Sequence, residues 1–191
     1  GAAQELQQRG VNVAILRIAS FADLFEAYRR LGLLTGEETR AEAAIAAMQS
    51  RLDAVARRVA HKPKPRVMAE VRFPPLLVAS AASMTGEIVR LAGGIMTPEA
   101  SKAHQPLGLE ALIALAPDAY VVLDGPMNPS PEPPATRDVF RDLPAVRQGR
   151  VYFADWMTFS RSGPRNVEAV ERLAAFLHPD SETTTEAGAP K

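Results

Sequence analysis

The stretch from Thr35 to His61 constrains the fold most, because Ile45, Met48, Leu52, Val55 and Val59 recur at spacings of three and four and so form one apolar helical stripe. At 1.5 Å per residue a helix over 35–60 is roughly 37 Å long, enough to cross the height of a small domain. Thr35-Gly36-Glu37-Glu38 reads as a capping box at its start, with the Thr35 hydroxyl and the Glu38 carboxylate satisfying reciprocal backbone donors. His61-Lys62-Pro63-Lys64-Pro65 ends the helix, since proline removes a backbone donor and biases the residue before it to an extended conformation. A helix lying on a sheet and a rigid spine joining two lobes both require this stripe.

Downstream of that break, strand and helix patterns alternate. Arg66–Val71 and Leu76–Val78 read as strands, and Met84, Ile88 and Leu91 as a helix stripe stopped by Gly93-Gly94. Leu109, Leu112 and Ile113 mark a helix ended by Pro117, followed by a strand over Ala119–Leu123 and a proline-stiffened loop over Gly125–Pro134. A short helix over Thr136–Asp142, a strand over Arg150–Ala154 and a last helix with Val167, Val170, Leu173 and Leu177 inward complete the pattern. Such alternation predicts an α/β fold: a doubly wound, mostly parallel sheet with helices on both faces. Upstream, Gly10–Ile18 reads as a buried strand, and Ser20 as the N-cap of a helix over Phe21–Leu31 that Gly32 stops.

Charge and composition narrow the function. The 22 basic and 22 acidic residues cancel, which argues against a nucleic-acid partner. The absence of cysteine excludes disulfides, thiolate metal sites and cysteine nucleophiles. No apolar run reaches the ~20 residues of a membrane span, and Gly1-Ala2-Ala3-Gln4 lacks the pattern of a signal segment. Residues 180–191 carry no apolar periodicity and are expected to form a disordered tail. Metalloprotease, serine-hydrolase and phosphate-loop motifs are missing, and Gly93-Gly94 closes a helix where a dinucleotide loop opens one, so no catalytic residue, metal site or cofactor is assigned.

A few residues are suited to holding a ligand. His104 lies in a Gly- and Pro-punctuated loop between two helices, where it either lines a crevice or is an ordinary exposed residue. Trp156, Phe159 and Arg161 follow a strand; aromatic area beside a guanidinium suits a flat, partly anionic ligand, and a core tryptophan with a surface arginine is the plainer alternative. Phe73-Pro74-Pro75 is a cleft rim or a rigid loop, with Phe73 and Pro75 the candidate contacts. Glu110, in the first turn of its helix, complements the helix dipole or pairs with an arginine of a partner.

Taken in order, Phe73-Pro74-Pro75-Leu76, Leu91-Ala92-Gly93-Gly94, Pro106 to Leu112 with Pro117-Asp118, Leu143-Pro144-Ala145-Val146 with Gly149-Arg150-Val151, and Gly163-Pro164-Arg165 through His178-Pro179 resemble the cobalamin, siderophore and haem class of substrate-binding proteins of ABC importers. The resemblance implies one lobe of a two-lobed binding protein. Residues 1–34 would be the end of a first lobe, 35–61 the interlobe spine and 62–179 the C-terminal ligand-binding lobe. It implies a metal-chelate ligand containing Fe or Co, a ferric siderophore or a corrinoid, with haem as the alternative. It further implies an ABC permease partner docked through Glu110, a location on the outer face of the cytoplasmic membrane or in the periplasm, and no enzymatic activity. An isolated lobe with an uncovered cleft wall is expected to self-associate. A nucleotide-binding or enzymatic domain on a similar sheet is the competing class.

Overall fold

The computed structural model describes residues 1–100 and 102–179; the tail expected over 180–191 lies outside the described residues. A mixed sheet runs β4 (His104–Pro106), β2 (Leu77–Ala79), β1 (Arg66–Arg72), β5 (Ala119–Asp124), β6 (Val151–Asp155), and β3 (Ile95–Met96) pairs with the start of β1. The β1–β5, β5–β6 and β1–β3 pairings are parallel, whereas β1–β2 and β2–β4 are antiparallel. Parallel pairing, as expected, holds along one side of β1 and, through β3, at the start of the other. On the other, the short Phe73–Leu76 connection can only return the chain antiparallel, since a parallel neighbour needs a crossover of a dozen residues or more.

Alternation along β1 sends side chains to two cores. Val67, Ala69 and Val71 face the cluster built with α3 (Glu38–Val59), α4 (Met84–Leu91) and α8 (Asn166–Leu177). Met68 packs with Leu112 of α5 (Leu109–Leu115), Phe140, and Ala145 and Val146 of α6 (Pro144–Arg147) on the opposite face. Helices thus cover both faces of the sheet, as a doubly wound α/β fold requires. The stripe on α3 is oriented as predicted: Ile45, Met48, Val55 and Val59 are buried, and Leu52 is half-buried against the same cluster.

Several local expectations are corrected. Gly10–Ile18 forms no strand; Val11 and Ile15 are 47% and 61% exposed, and no neighbouring strand among the described residues offers the ladder a strand needs. Two helices flank it, α1 (Ala2–Gln8), which lacks an apolar stripe and buries nothing, and α2 (Phe21–Thr35). Ser20 caps α2 as expected, accepting from the Asp23 N–H at 3.1 Å while Asp23 Oδ2 accepts from the Ser20 N–H at 3.0 Å. The Ala19 N–H, the Ser20 hydroxyl and the Ser20 N–H, all donating to Asp23 Oδ2, hold its carboxyl below the usual range. Gly32 lies inside α2, which instead ends at Gly36, whose φ of +72° is the left-handed cap that glycine adopts without strain. Thr35 accordingly closes α2 and does not open α3: its Oγ1 donates to the Leu31 carbonyl at 2.8 Å, and no capping box forms with Glu38. The short helix expected over Thr136–Asp142 is two 3₁₀ turns, Pro134–Thr136 and Phe140–Asp142.

His178, after α8, is buried and its Nε2 has no hydrogen-bond partner. Burial lowers its pKa, so folding favours the neutral imidazole. The sign follows: its stabilising contribution is complete above the unfolded value of about 6.5 and is lost as pH falls through the lower folded value. Urea unfolding between pH 7.5 and 5 is expected to show falling stability with a steeper slope than in a His178→Gln variant. Equal slopes would assign the loss to other groups.

Candidate functional site

In an open α/β sheet, ligands bind beyond the carboxyl ends of the parallel strands. Here those ends are Arg72 of β1, Asp124 of β5 and Asp155 of β6. After β1, Phe73 is half-buried, with its N–H donating to Asn128 Oδ1 at 3.3 Å and its ring edge-on to Phe140 at 4.9 Å; Pro74 and Pro75 are exposed. After β5 the chain turns tightly, the Asn128 N–H donating to the Gly125 carbonyl at 2.9 Å.

After β6, Asp155 caps the five-residue helix α7 (Trp156–Ser160), accepting from the Thr158 N–H at 2.9 Å and the Thr158 hydroxyl at 2.5 Å. The hydroxyl bond is the main reason the Asp155 carboxyl is held below its usual range. The cap fixes where Trp156 points. A Cβ at Gly125 would fall 2.3 Å from the Trp156 Cβ, so the indole is seated against a backbone that only glycine permits. Arg161 returns over the indole with its guanidinium 5.3 Å from the ring centroid, an exposed cation on a half-buried aromatic face.

Phe159 is corrected: it is 2% exposed and packs against Tyr152 at 6.0 Å, in the same core cluster against which Trp156 is partly buried. His104 is also relocated, from a loop to the edge strand β4, opposite Ala79. Its exposed side chain lines a pocket of about 170 Å³ with Ser83, Thr85, Ser160 and Ser162, beside Ile18 and Ala19. Partial burial lowers the pKa of the imidazole. Glu110 is exposed in the first turn of α5. The structure therefore joins Trp156 with Arg161 and places His104 beside the chain that flanks Arg161.

A buried polar network beneath this edge was not foreseen. Glu70 is fully buried in β1, where its carboxylate accepts from Arg137 Nη1 at 2.6 Å, Arg137 Nη2 at 3.2 Å, the Tyr120 hydroxyl at 2.9 Å and Asn128 Nδ2 at 2.9 Å. The Arg137 guanidinium lies between Phe73 and Phe140, 4.6 and 4.9 Å from their centroids, and also donates to the Glu132 carbonyl. Burial, followed by the Glu70 charge, pushes the Tyr120 phenol well above its ordinary value. Through Asn128 this network ties the loop after β5 to the loop after β1. Its signal in the sequence is one carboxylate amid an apolar strand, Met68-Ala69-Glu70-Val71. Among the described residues no cluster of three or more His, Asp or Glu side chains is arranged to hold a metal ion.

Comparisons with known proteins converge. A periplasmic binding protein family model matches residues 1–156. An uncharacterized ABC transporter substrate-binding lipoprotein, YvrC of Bacillus subtilis, is 27% identical over 185 residues, which cover 94% of this chain but 58% of that protein. An ABC transporter substrate-binding protein of Listeria monocytogenes superposes with a TM-score of 0.80 at 22% identity, covering 93% of this chain and 72% of the other. A periplasmic heme binding protein of Pseudomonas aeruginosa superposes with a TM-score of 0.79 at 27% identity, over 92% of this chain and 67% of the other. Other solved structures of this fold include a vitamin B12 binding protein of Vibrio cholerae and an Fe3+-hydroxamate transport protein of Saccharomonospora viridis. The chain belongs to the periplasmic binding protein family.

Proposed function

We propose that the chain is the C-terminal lobe and spine of a solute-binding component of an ABC importer, and that its carboxyl edge forms one wall of a cleft for a metal-chelate nutrient. The observation that carries this is the Trp156–Arg161 platform, an aromatic face and an exposed cation fixed by the Asp155 cap at the sheet edge where such folds bind ligands. The chelate is a ferric siderophore or a corrinoid, with Fe or Co carried as cargo. Haem is the second reading, favoured by the 27% identity to a heme binding protein. Phe73 and Pro75 form the rim, His104 a flank, and Phe159 supports the platform from within.

The protein acts without catalysis, outside the cytoplasmic membrane. A first lobe, of the kind that would account for the rest of the relatives' length, supplies the other wall. In the two-lobed protein, Arg161→Ala and His104→Ala are each expected to weaken chelate binding about ten-fold, followed by visible absorbance, corresponding to a lost contact of ~1.4 kcal/mol. Unchanged affinity in both variants would remove these residues from the cleft.

Glu110, exposed at the level of the same edge, docks an arginine of the permease. Glu110→Ala is expected to leave the unfolding midpoint within about 0.5 kcal/mol of the parent while weakening association with the permease in a pull-down from membranes. Undiminished association would release Glu110 from that role.

A further inference from the structure

The opposite end of the lobe carries a feature that ligand capture does not explain. Arg57, Arg58, His61, Lys62, Lys64 and Arg66 fall within ten residues, all exposed, and no acid intervenes between Asp53 and Glu70. They occupy the end of α3, the linker and the start of β1, at the amino edge of the sheet. The turn before β6 meets the linker there: Lys64, Gln148, Arg150 and His178 line one open groove of about 350 Å³, and Arg147 immediately precedes it.

These cations are poorly compensated. Asp118, which also lines the groove, is occupied by the Arg66 N–H at 2.7 Å and the Arg66 guanidinium at 3.8 Å. Arg150 spends its donors on the Asp118 and Leu177 carbonyls. Arg57, Lys62, Lys64 and Arg147 make no ion pair among the described residues. Lys62 and Arg150 both add to the lowering of the buried His178 pKa that burial begins, so their fields converge on this groove. In a chain whose formal charge is zero, such local excess is a matter of placement and not of composition.

We propose that the amino edge is an interaction surface for a linear polyphosphate chain, held by Lys64 in the groove and by Lys62 and Arg147 beside it. Lys62 and Lys64 alternate with Pro63 and Pro65. With Arg147 in the turn before β6 they set several uncompensated charges along one open edge, which suits a polymer better than one small anion. The groove is open and carries the side chains of Lys64 and Arg150. It lies at the far end of α5 from Glu110, so the polymer and a permease can be engaged together.

The test uses the 191-residue chain and fluorescently labelled linear inorganic polyphosphate, followed by anisotropy. Binding at 50 mM salt is expected to weaken at least about ten-fold at 200 mM, as counterion release dictates. The triple variant Lys62→Glu, Lys64→Glu, Arg147→Glu is expected to lose at least about ten-fold in affinity at an unchanged unfolding midpoint. Should that variant not fold, Lys64→Gln alone is expected to lower both the affinity and the salt slope. No binding at 50 mM salt, or equal binding by the variants, would overturn the proposal. So would orthophosphate binding as tightly as the polymer, or a preference for phosphatidylglycerol vesicles or duplex DNA.

Discussion

Replacing Arg137 with methionine is expected to cost about 3–5 kcal/mol of stability, because it strands a buried carboxylate. Methionine retains much of the bulk between Phe73 and Phe140 but supplies neither of the two donors that reach Glu70. The Tyr120 hydroxyl and the Asn128 amide remain, and neither carries charge. Guanidinium unfolding of the single variant, compared with the double variant Glu70→Gln, Arg137→Met, separates charge from packing. The double variant is expected to recover a large part of the loss, since a neutral amide is much cheaper to bury than an unpaired carboxylate. A single variant within about 1 kcal/mol of the parent would mean that water reaches Glu70 and that the network does not hold the carboxyl-edge loops.

Gly86→Ala is the second large effect. A Cβ at this position in α4 would lie 2.3 Å from the Ser80 carbonyl oxygen and 2.7 Å from the Ala81 Cα. Both are backbone atoms, so no side-chain rotation relieves the clash. The turn itself is pinned: the Ser83 hydroxyl donates to the Ser80 carbonyl at 2.7 Å and accepts from the Gly86 N–H at 3.1 Å. Alanine normally favours a helix interior over glycine by up to ~1 kcal/mol, but overpacking against fixed backbone outweighs that and leaves a net loss of about 3 kcal/mol. Thermal unfolding measures it. An equal or raised midpoint would show that the turn from Ser80 to Ser83 moves freely.

The sequence carried the long-period features well and the cooperative ones poorly. The α3 stripe, the last helix and the strands over 66–71, 119–123 and 150–154 were legible because their apolar periodicity is imposed by burial, which acts on each residue separately. Gly10–Ile18 shows the limit of that logic: β-branched residues favour a strand only where a neighbouring strand completes the ladder. Gly32 and Thr35 were misread because the boundary between two adjoining helices depends on which of several capping residues the packing selects. In the candidate site, Trp156 and Arg161 lay close enough in sequence to be grouped, and the structure brings them into contact. Phe159 was grouped with them because the turn of α7 that turns it inward is too short to leave a periodic signal. The Glu70 network joins residues 50 to 67 positions apart, a pairing no local pattern announces.

The carboxyl edge is proposed as a ligand wall, and the only tryptophan of the chain stands on it. Inner-filter-corrected Trp156 fluorescence should therefore be titrated in the 191-residue chain with cyanocobalamin, a ferric hydroxamate, a ferric catecholate and haemin. Saturable quenching by one of the four is the expected result, with weaker quenching in Arg161→Ala. No saturable quenching by any of them, or quenching untouched by the substitution, would contradict it.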